Sequence, residues 1–303
     1  MPKTWVELAV EIHPSLVEAV SSFLIEQGSP GVIQEELPGP ASRLKERLIA
    51  YFPNDRGFRA KGGKIRSFLR SVSQLHPGSF TFHHRVIKEE KWAETWKANF
   101  KPLQITPRLV VKPPWEEYAQ QKGELVIEID PGMAFGTGTH PSTQMCLRAL
   151  EEVVHSSSPP LSMLDVGTGS GILAIAARKL GVRQVLAIDI DPVAIDCARK
   201  NAAVNNINRG IDFRVGSLDG LRRKFDISVA NLLPQELLQM APFLPKRVSS
   251  GGTLIISGLL RGQKKEIFAP FSRQDLEILR SQESKGWSCL VLRSRKGKKN
   301  GKK

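Results

Sequence analysis

Residues Ser162 to Pro192 constrain this chain more than any other stretch. Met163 to Val166 is a short apolar run interrupted only by Asp165, Ile172 to Leu180 is apolar and alanine-rich at helical spacing, and Val185 to Ile188 is apolar again. Gly181 stands where the helix should end. The pattern is strand, glycine turn, helix, strand, and such a unit makes its two strands parallel neighbours. Gly167, Gly169 and Gly171 let a ligand approach the backbone at the carboxyl end of the first strand. Asp189 closes the second strand 20 residues beyond Gly169, where a carboxylate accepts from both hydroxyls of a ribose. A nucleoside-binding crevice is implied.

The third glycine decides which nucleoside. A dinucleotide fingerprint needs G-x-G-x-x-G, with the pyrophosphate on the helix N-terminus, whereas Gly171 comes one residue early. Asp165, two residues before Gly167, completes D-x-G-x-G-x-G, which resembles the first motif of class I methyltransferases that use S-adenosylmethionine. That ligand carries no phosphate. Its ammonium is one that Asp165 is expected to help place.

A length of 303 residues predicts one large or two ordinary domains, and 41% hydrophobic against 24% charged residues excludes a disordered chain. Cys146, Cys197 and Cys289 lie far apart with no C-x-x-C pair, so they read as reduced packing residues, and no metal site is expected. No basic stretch followed by an apolar block opens the sequence, and no run is long enough to cross a bilayer. A soluble, cytoplasmic protein is expected. Of the formal charge of +14, seven units come from Arg293, Arg295, Lys296, Lys298, Lys299, Lys302 and Lys303. The tail from 296 to 303 reads as a disordered, solvated end, with weak, salt-sensitive attraction to RNA or ribosomes as its functional alternative.

Along the chain, Trp5–Ile12 reads as a strand, Pro14–Gln27 as a helix stopped by Gly28, and Gly31–Glu35 and Arg47–Phe52 as strands. Gly63–Leu75 has helical spacing and Phe80–Lys88 alternates. The order β-α-β-β-α-β is that of ferredoxin-like domains. A charged helix from Glu89 to Phe100 puts Trp92 and Trp96 on one face, read as packing in preference to base stacking. Leu103–Lys112 and Glu124–Ile129 follow as strands.

The second informative stretch, Asp130 to Thr143, places Gly132, Gly136 and Gly138 among threonines before a helix from Gln144 to Val154, with Pro141 in its first turn. Such a loop turns N–H groups and hydroxyls toward an anion or polar ligand head. Beyond the βαβ unit come a helix from Pro192 to Asn205 capped by Asp191, strands at Ile211–Val215 and Phe225–Ala230, and a helix over Gln235–Val248. A buried strand at Thr253–Ser257, a helix at Arg261–Phe271 and a hairpin of Leu276–Ser281 with Trp287–Leu292 around Lys285-Gly286 complete the chain. The fold class is α/β: a doubly wound, Rossmann-like methyltransferase domain with an antiparallel finish, preceded by a small α+β ferredoxin-like domain.

Four segments together are similar to the ribosomal protein L11 methyltransferases, bacterial enzymes that methylate amines of a large-subunit ribosomal protein. They are Phe135-Gly-Thr-Gly-Thr-His-Pro-Ser-Thr143, Asp165 to Ala177, Ile188-Asp-Ile-Asp-Pro192 and Ala230-Asn-Leu-Leu233. The resemblance spans nearly the whole chain. It implies that Thr143, Gly167, Asp189 and Asn231 contact S-adenosyl-L-methionine, with Phe135, Gly169 and Asp165 in the same site, and that the 135–143 loop closes over the methionine end. It implies residues 1–88 as a substrate-recognition domain, 89–104 as a linker helix and 105–295 as the methyltransferase domain, acting on ribosomal protein L11; a monomer is expected.

The residues support amine transfer independently. Amine methyltransferases resemble one another in placing Asn or Asp at the end of the fourth strand, as Asn231 is here, followed by Pro-Pro-aromatic. Leu232 and Leu233 stand there instead, so a base-stacking aromatic is missing. An Asn side-chain oxygen and the next carbonyl can accept the amine's hydrogens and turn its lone pair toward the methyl group. His140 is the one nearby candidate base; its other reading is a brace for the glycine loop. Two further readings are open: an RNA methyltransferase, favoured by charge, and a nicotinamide oxidoreductase, which lacks its phosphate-binding glycine.

Overall fold

A computed structural model describes residues 4–13, 16–29, 32–36, 46–74, 81–88, 97, 100–130, 136–156 and 161–295. They form two compact units, Met1–Lys101 and Pro102–Lys303. The first contains β1 (Thr4–Ile12), α1 (Val17–Glu26), β2 (Val32–Glu36), β3 (Glu46–Pro53), α2 (Arg56–Ser73) and β4 (Thr81–Lys88). Its antiparallel sheet runs β2-β3-β1-β4. Alternation sends Leu8, Val10 and Ile12 of β1 and Leu48, Ala50 and Phe52 of β3 to one face, where Val20 and Leu24 of α1 and Ile65 and Leu69 of α2 cover them.

Helix α2 begins seven residues before the position expected from Gly63. Asp55 caps it, accepting from the Phe58 N–H at 2.9 Å, and Gly57, Gly62 and Gly63 had hidden its first two turns. Trp92, Trp96 and nearly all of the expected 89–100 helix lie outside the described residues, as do Phe135 and the 296–303 tail.

In the second unit, the strand expected over Leu103–Lys112 is two strands, β5 (Leu103–Gln104) and β6 (Leu109–Lys112). The intervening turn is held by the Thr106 hydroxyl, which accepts from the N–H groups of Arg108 and Leu109, and it contains Pro107, which has no N–H for a ladder. These strands and β7 (Leu125–Glu128) make a small sheet ordered β5-β6-β7.

The main sheet runs β10-β9-β8-β11-β12-β14-β13. Its strands are β8 (Ser162–Val166), β9 (Gln184–Asp189), β10 (Ile211–Val215), β11 (Phe225–Asn231), β12 (Val248–Leu260), β13 (Leu276–Ser284) and β14 (Trp287–Ser294). The five from β10 to β12 are parallel, and β14 and β13 finish it antiparallel. Helices α3 (Pro141–His155), α4 (Ile172–Lys179), α5 (Pro192–Val204), α6 (Pro234–Met240) and α7 (Lys264–Ser272) complete the unit. This is the doubly wound class I methyltransferase order. Because successive residues point to opposite faces, Met163 joins the apolar layer containing α3 and α4, and Leu164 the layer containing α6 and α7.

One expected helix is too long: after α6 the chain turns, makes a short 3-10 segment at Leu244–Arg247 and enters β12 at Val248. Pro245, early in that segment, lacks the N–H a continuing helix would need. Strand order reverses between β8 and β11, whose outward crossovers leave on opposite sides, so a crevice opens at their carboxyl ends.

Candidate functional site

The glycine turn leaves β8 with Gly167, Gly169 and Gly171 at φ of 69°, 53° and 82°, the left-handed region that disfavours any side chain. A Cβ on Gly167 would lie 2.3 Å from Leu232 Cδ2, and one on Gly171 would lie 2.9 Å from the Ala198 Cβ. Most of the turn's amides are already engaged. Gly167 and Thr168 donate to the Ile188 carbonyl, Gly171 to the Thr168 carbonyl, and Gly169 to Asp189 Oδ2 at 2.9 Å. A pyrophosphate cradle requires those N–H groups to point at the ligand. Here they do not, which suits S-adenosylmethionine and removes the nicotinamide reading.

Asp189 ends β9 half-buried, its Oδ1 accepting from the Asp191 N–H at 3.0 Å. A carboxylate has lone pairs left over from two backbone contacts, so it can still accept ribose hydroxyls. Beside it Ile190 is 72% exposed, and Val193 and Val215 are also exposed. Val215 pairs with Asp189 across β10 and β9. An acid flanked by bare apolar side chains fits a sugar attached to an aromatic base.

Asp165 sits elsewhere than expected. It is 1% exposed, beneath the turn, with Oδ2 accepting from the Thr168 hydroxyl at 2.6 Å and the carboxyl also facing the Ala174 N–H in the first turn of α4. Burial pushes its carboxyl up to about 7. It braces the glycine turn from below.

The second glycine-rich stretch meets the first. The Ser170 hydroxyl donates to the Gly136 carbonyl at 2.6 Å, and a Cβ on Gly138 would lie 2.9 Å from Val111 Cγ1 and 3.1 Å from Ile172 Cδ1. His140 then caps α3: its Nδ1 accepts from the Ser142 N–H at 3.3 Å and lies 2.7 Å from Ser142 Oγ, and Trp287 packs edge-on at 4.6 Å. Burial lowers its pKa to about 4, so the ring is neutral near pH 7. With Nδ1 accepting, the proton sits on Nε2, and protonating the ring would sacrifice the cap beside a helix N-terminus that repels cations. These contacts are those of a brace for the glycine loop.

One turn further, Thr143 is 2% exposed and its hydroxyl oxygen accepts from Asn231 Nδ2 at 3.2 Å. Asn231 is the last residue of β11, one step beyond the Ala230–Val166 pair and so level with Gly167. The 136–143 loop, the glycine turn and the end of β11 thus converge at the switch point. A family model described as Ribosomal protein L11 methyltransferase (PrmA) matches residues 4–295.

The chain belongs to the ribosomal protein L11 methyltransferase family. It is 38% identical over 312 residues to a Ribosomal protein L11 methyltransferase of Geotalea uraniireducens (strain Rf4), covering 97% of this chain and 99% of that one. A relative of the same name from Symbiobacterium thermophilum is 45% identical over 229 residues, covering 75% and 72%. A crystal structure of ribosomal protein L11 methylase from Lactobacillus delbrueckii subsp. bulgaricus superposes with a TM-score of 0.60 at 36% identity, over 65% of this chain and all of that one.

Three residues that shape this family's site here escape a reading of motifs. Asn201 of α5 donates to the Ser170 carbonyl and accepts from the Asp130 N–H, tying the glycine turn to the start of the second loop. Gly258 lies at a bulge in β12 with φ of 90°, where a Cβ would fall 2.1 Å from the Leu232 carbonyl oxygen. Ile190 lies inside the Ile188–Pro192 segment, which gives it no role of its own. Among the described residues no group of three or more His, Cys, Asp or Glu could hold a metal, and no helix is long and apolar enough to cross a membrane.

Proposed function

We propose that this chain, acting in the cytoplasm, methylates lysine side-chain or N-terminal amines of ribosomal protein L11, with S-adenosylmethionine as donor. The observation that carries the reading is the Asn231–Thr143 hydrogen bond at the switch point. With Nδ2 committed to Thr143, Asn231 is left with Oδ1 as a fixed acceptor. Asp189 takes the ribose hydroxyls, Ile190 and Val215 flank the base, and the Gly167–Gly171 turn permits close approach. When bound, S-adenosylmethionine supplies a methyl group activated by its positive sulfur.

The protein's own task is to aim a lone pair. Asn231 Oδ1 and the Leu232 carbonyl accept two amine hydrogens, which leaves the nitrogen lone pair as the only group free to face the methyl. Holding a lysine amine neutral near pH 7.4 costs roughly 4 kcal/mol from its ordinary pKa. With His140 committed as a cap, the proton goes to water, and the apolar side chain of Leu232 favours the neutral amine. The absence of an aromatic at positions 232 and 233 favours an amine on a protein over one on a stacked base.

The test is mass spectrometry of ribosomal protein L11 incubated with the purified chain and S-adenosylmethionine. The expected result is a mass gain in whole methyl groups, mapped to amines. No gain on L11, with label transferred to ribosomal RNA instead, overturns the proposal.

A further inference from the structure

The sequence of α2 carries a charge pattern for which the methyl-transfer site has no use. Residues 1–101 hold 15 Lys and Arg against 11 Asp and Glu, yet six of those cations and none of those acids fall within Arg56–Ser73. Without α2 the unit would be net negative. The arginines are also ordered. Arg56, Arg59, Arg66 and Arg70 stand at i, i+3, i+10 and i+14, which places all four positions within about 80° of arc on a helix, opposite the buried Ile65, Leu69 and Val72. The row is about 21 Å long. Lys61 is outside it, with its ammonium on the Gln27 carbonyl at 2.9 Å.

Three further observations bear on the partner. Gly63 is the other position within the stripe, and Ala60 and Ser67 border it, so it offers no large apolar anchor of the kind protein interfaces depend on. Gly63 lies mid-row, and a Cβ there or on Gly62 would meet nothing within 4 Å. Packing therefore does not demand these glycines, which weaken a helix, but a bare backbone lets a flat or bulky anion come close. Finally, the amines proposed as substrate are cationic until they react, so a row of guanidinium groups repels them. Guanidinium forks match phosphate oxygens two at a time.

We propose that the Arg56–Arg70 face of α2 binds the phosphate backbone of structured RNA, without reading base sequence. This goes beyond the proposed function: it gives the enzyme a foothold on RNA, carried by the first compact unit, whereas the methyl-transfer crevice belongs to the second.

The test titrates the full chain against a fluorescein-labelled RNA duplex of arbitrary sequence, followed by anisotropy from about 50 to 200 mM KCl. Replacing Arg56, Arg59, Arg66 and Arg70 with Gln should flatten the plot of log affinity against log salt by about 3 to 4 units and weaken binding at least about tenfold at 100 mM salt. Replacing the same four with Lys should keep most of the slope, since released counterions follow charge. This second variant also keeps the test decisive if the glutamines weaken the fold. Neutralising Lys296, Lys298, Lys299, Lys302 and Lys303 to Gln should leave the stripe's share of the slope in place. Methylation of free L11 by the glutamine variant should stay within about twofold of the parent, because the stripe offers a protein no apolar anchor and repels its cationic amines.

No measurable binding by the parent, an unchanged slope in the glutamine variant, or loss of the whole slope on neutralising the tail would each overturn the proposal. So would a lysine variant as flat as the glutamine one. Loss of free-L11 methylation together with RNA binding would assign the stripe to the protein substrate and overturn it too. Failure of the parent to methylate L11 would count only against the proposed function, because RNA binding is read without turnover.

Discussion

Replacing Thr143 with Val tests whether the Asn231 amide is held in one orientation for chemistry. Valine fills nearly the volume of threonine but offers no oxygen, so the 3.2 Å contact from Asn231 Nδ2 is lost while packing around a 2%-exposed side chain is retained. A neutral hydrogen bond of this kind contributes about 1 kcal/mol. Its loss lets the amide turn its N–H groups toward the amine for more of the time, shifting the ratio of the two orientations about fivefold. Single-turnover methylation of L11 should therefore slow by roughly two- to fivefold. Asn231→Ala should slow it by about a hundredfold or more, with a smaller change in cofactor affinity, because aligning the lone pair matters chiefly at the transition state. The double variant should be no slower than Asn231→Ala alone, giving a coupling of about 1 kcal/mol. Strictly additive losses would refute the clamp, leaving Thr143 to act on the cofactor or the helix by itself. Equal losses of rate and of cofactor affinity in Asn231→Ala would make Asn231 mainly a cofactor ligand.

Other outcomes follow from the same geometry. Asp189→Ala should weaken S-adenosylmethionine binding by about 2 to 4 kcal/mol in calorimetric titration, and an unchanged dissociation constant would remove Asp189 from the site. Gly258→Ala should depress turnover more than stability, since its Cβ would displace the Leu232 carbonyl at 2.1 Å; wild-type single-turnover rates would show that this carbonyl is not used. Asp165, buried with a carboxyl pushed up to about 7, keeps its proton in the fold at pH values where the unfolded chain has lost it. Its contribution to stability is therefore fully present below about pH 4 and is lost as pH rises toward 7, by about 4 kcal/mol in total. Asp165→Asn should lack that decline in urea unfolding at pH 5 and 8, and parallel pH dependences would show that the group ionises normally. A fragment beginning at Pro102 should fold and bind S-adenosylmethionine yet fail to methylate L11, because residues 1–101 form a separate compact unit; retained protein methylation would place recognition in the second unit.

What could be read from the sequence was whatever local chemistry dictates. The left-handed turns at Gly167, Gly169 and Gly171 exclude side chains, so the glycines announce themselves. Asp191 accepts from the Val193 N–H at 2.8 Å ahead of Pro192, a cap and a first-turn proline that need no tertiary knowledge. The Lys285-Gly286 turn, with both residues at positive φ, likewise fixed the final hairpin. Where local signals conflicted, the reading failed. Three glycines masked the first turns of α2, and the apolar spacing of 235–248 continued a helical pattern through a proline that ends it.

The site was legible as a set of positions and less so as a set of roles. Asp165 and Asp189 look equivalent in sequence, both acids at the ends of adjacent parallel strands. Their surroundings separate them: Asp165 lies under the turn with a raised pKa, and Asp189 stands half-open with two backbone N–H groups on its oxygens. His140 shows the same limit, since only the contact of Nδ1 with the Ser142 N–H decides between base and cap. Gly258 and Asn201 gave no local signal at all. Their work is done against Leu232, Ser170 and Asp130, tens of residues away, and a strand glycine or a helical asparagine means little until that partner is known. The chemistry of methyl transfer is thus announced by residues that shape the backbone locally, while the precision of the proposed Asn231–Leu232 acceptor pair rests on residues whose purpose exists only in the folded sheet.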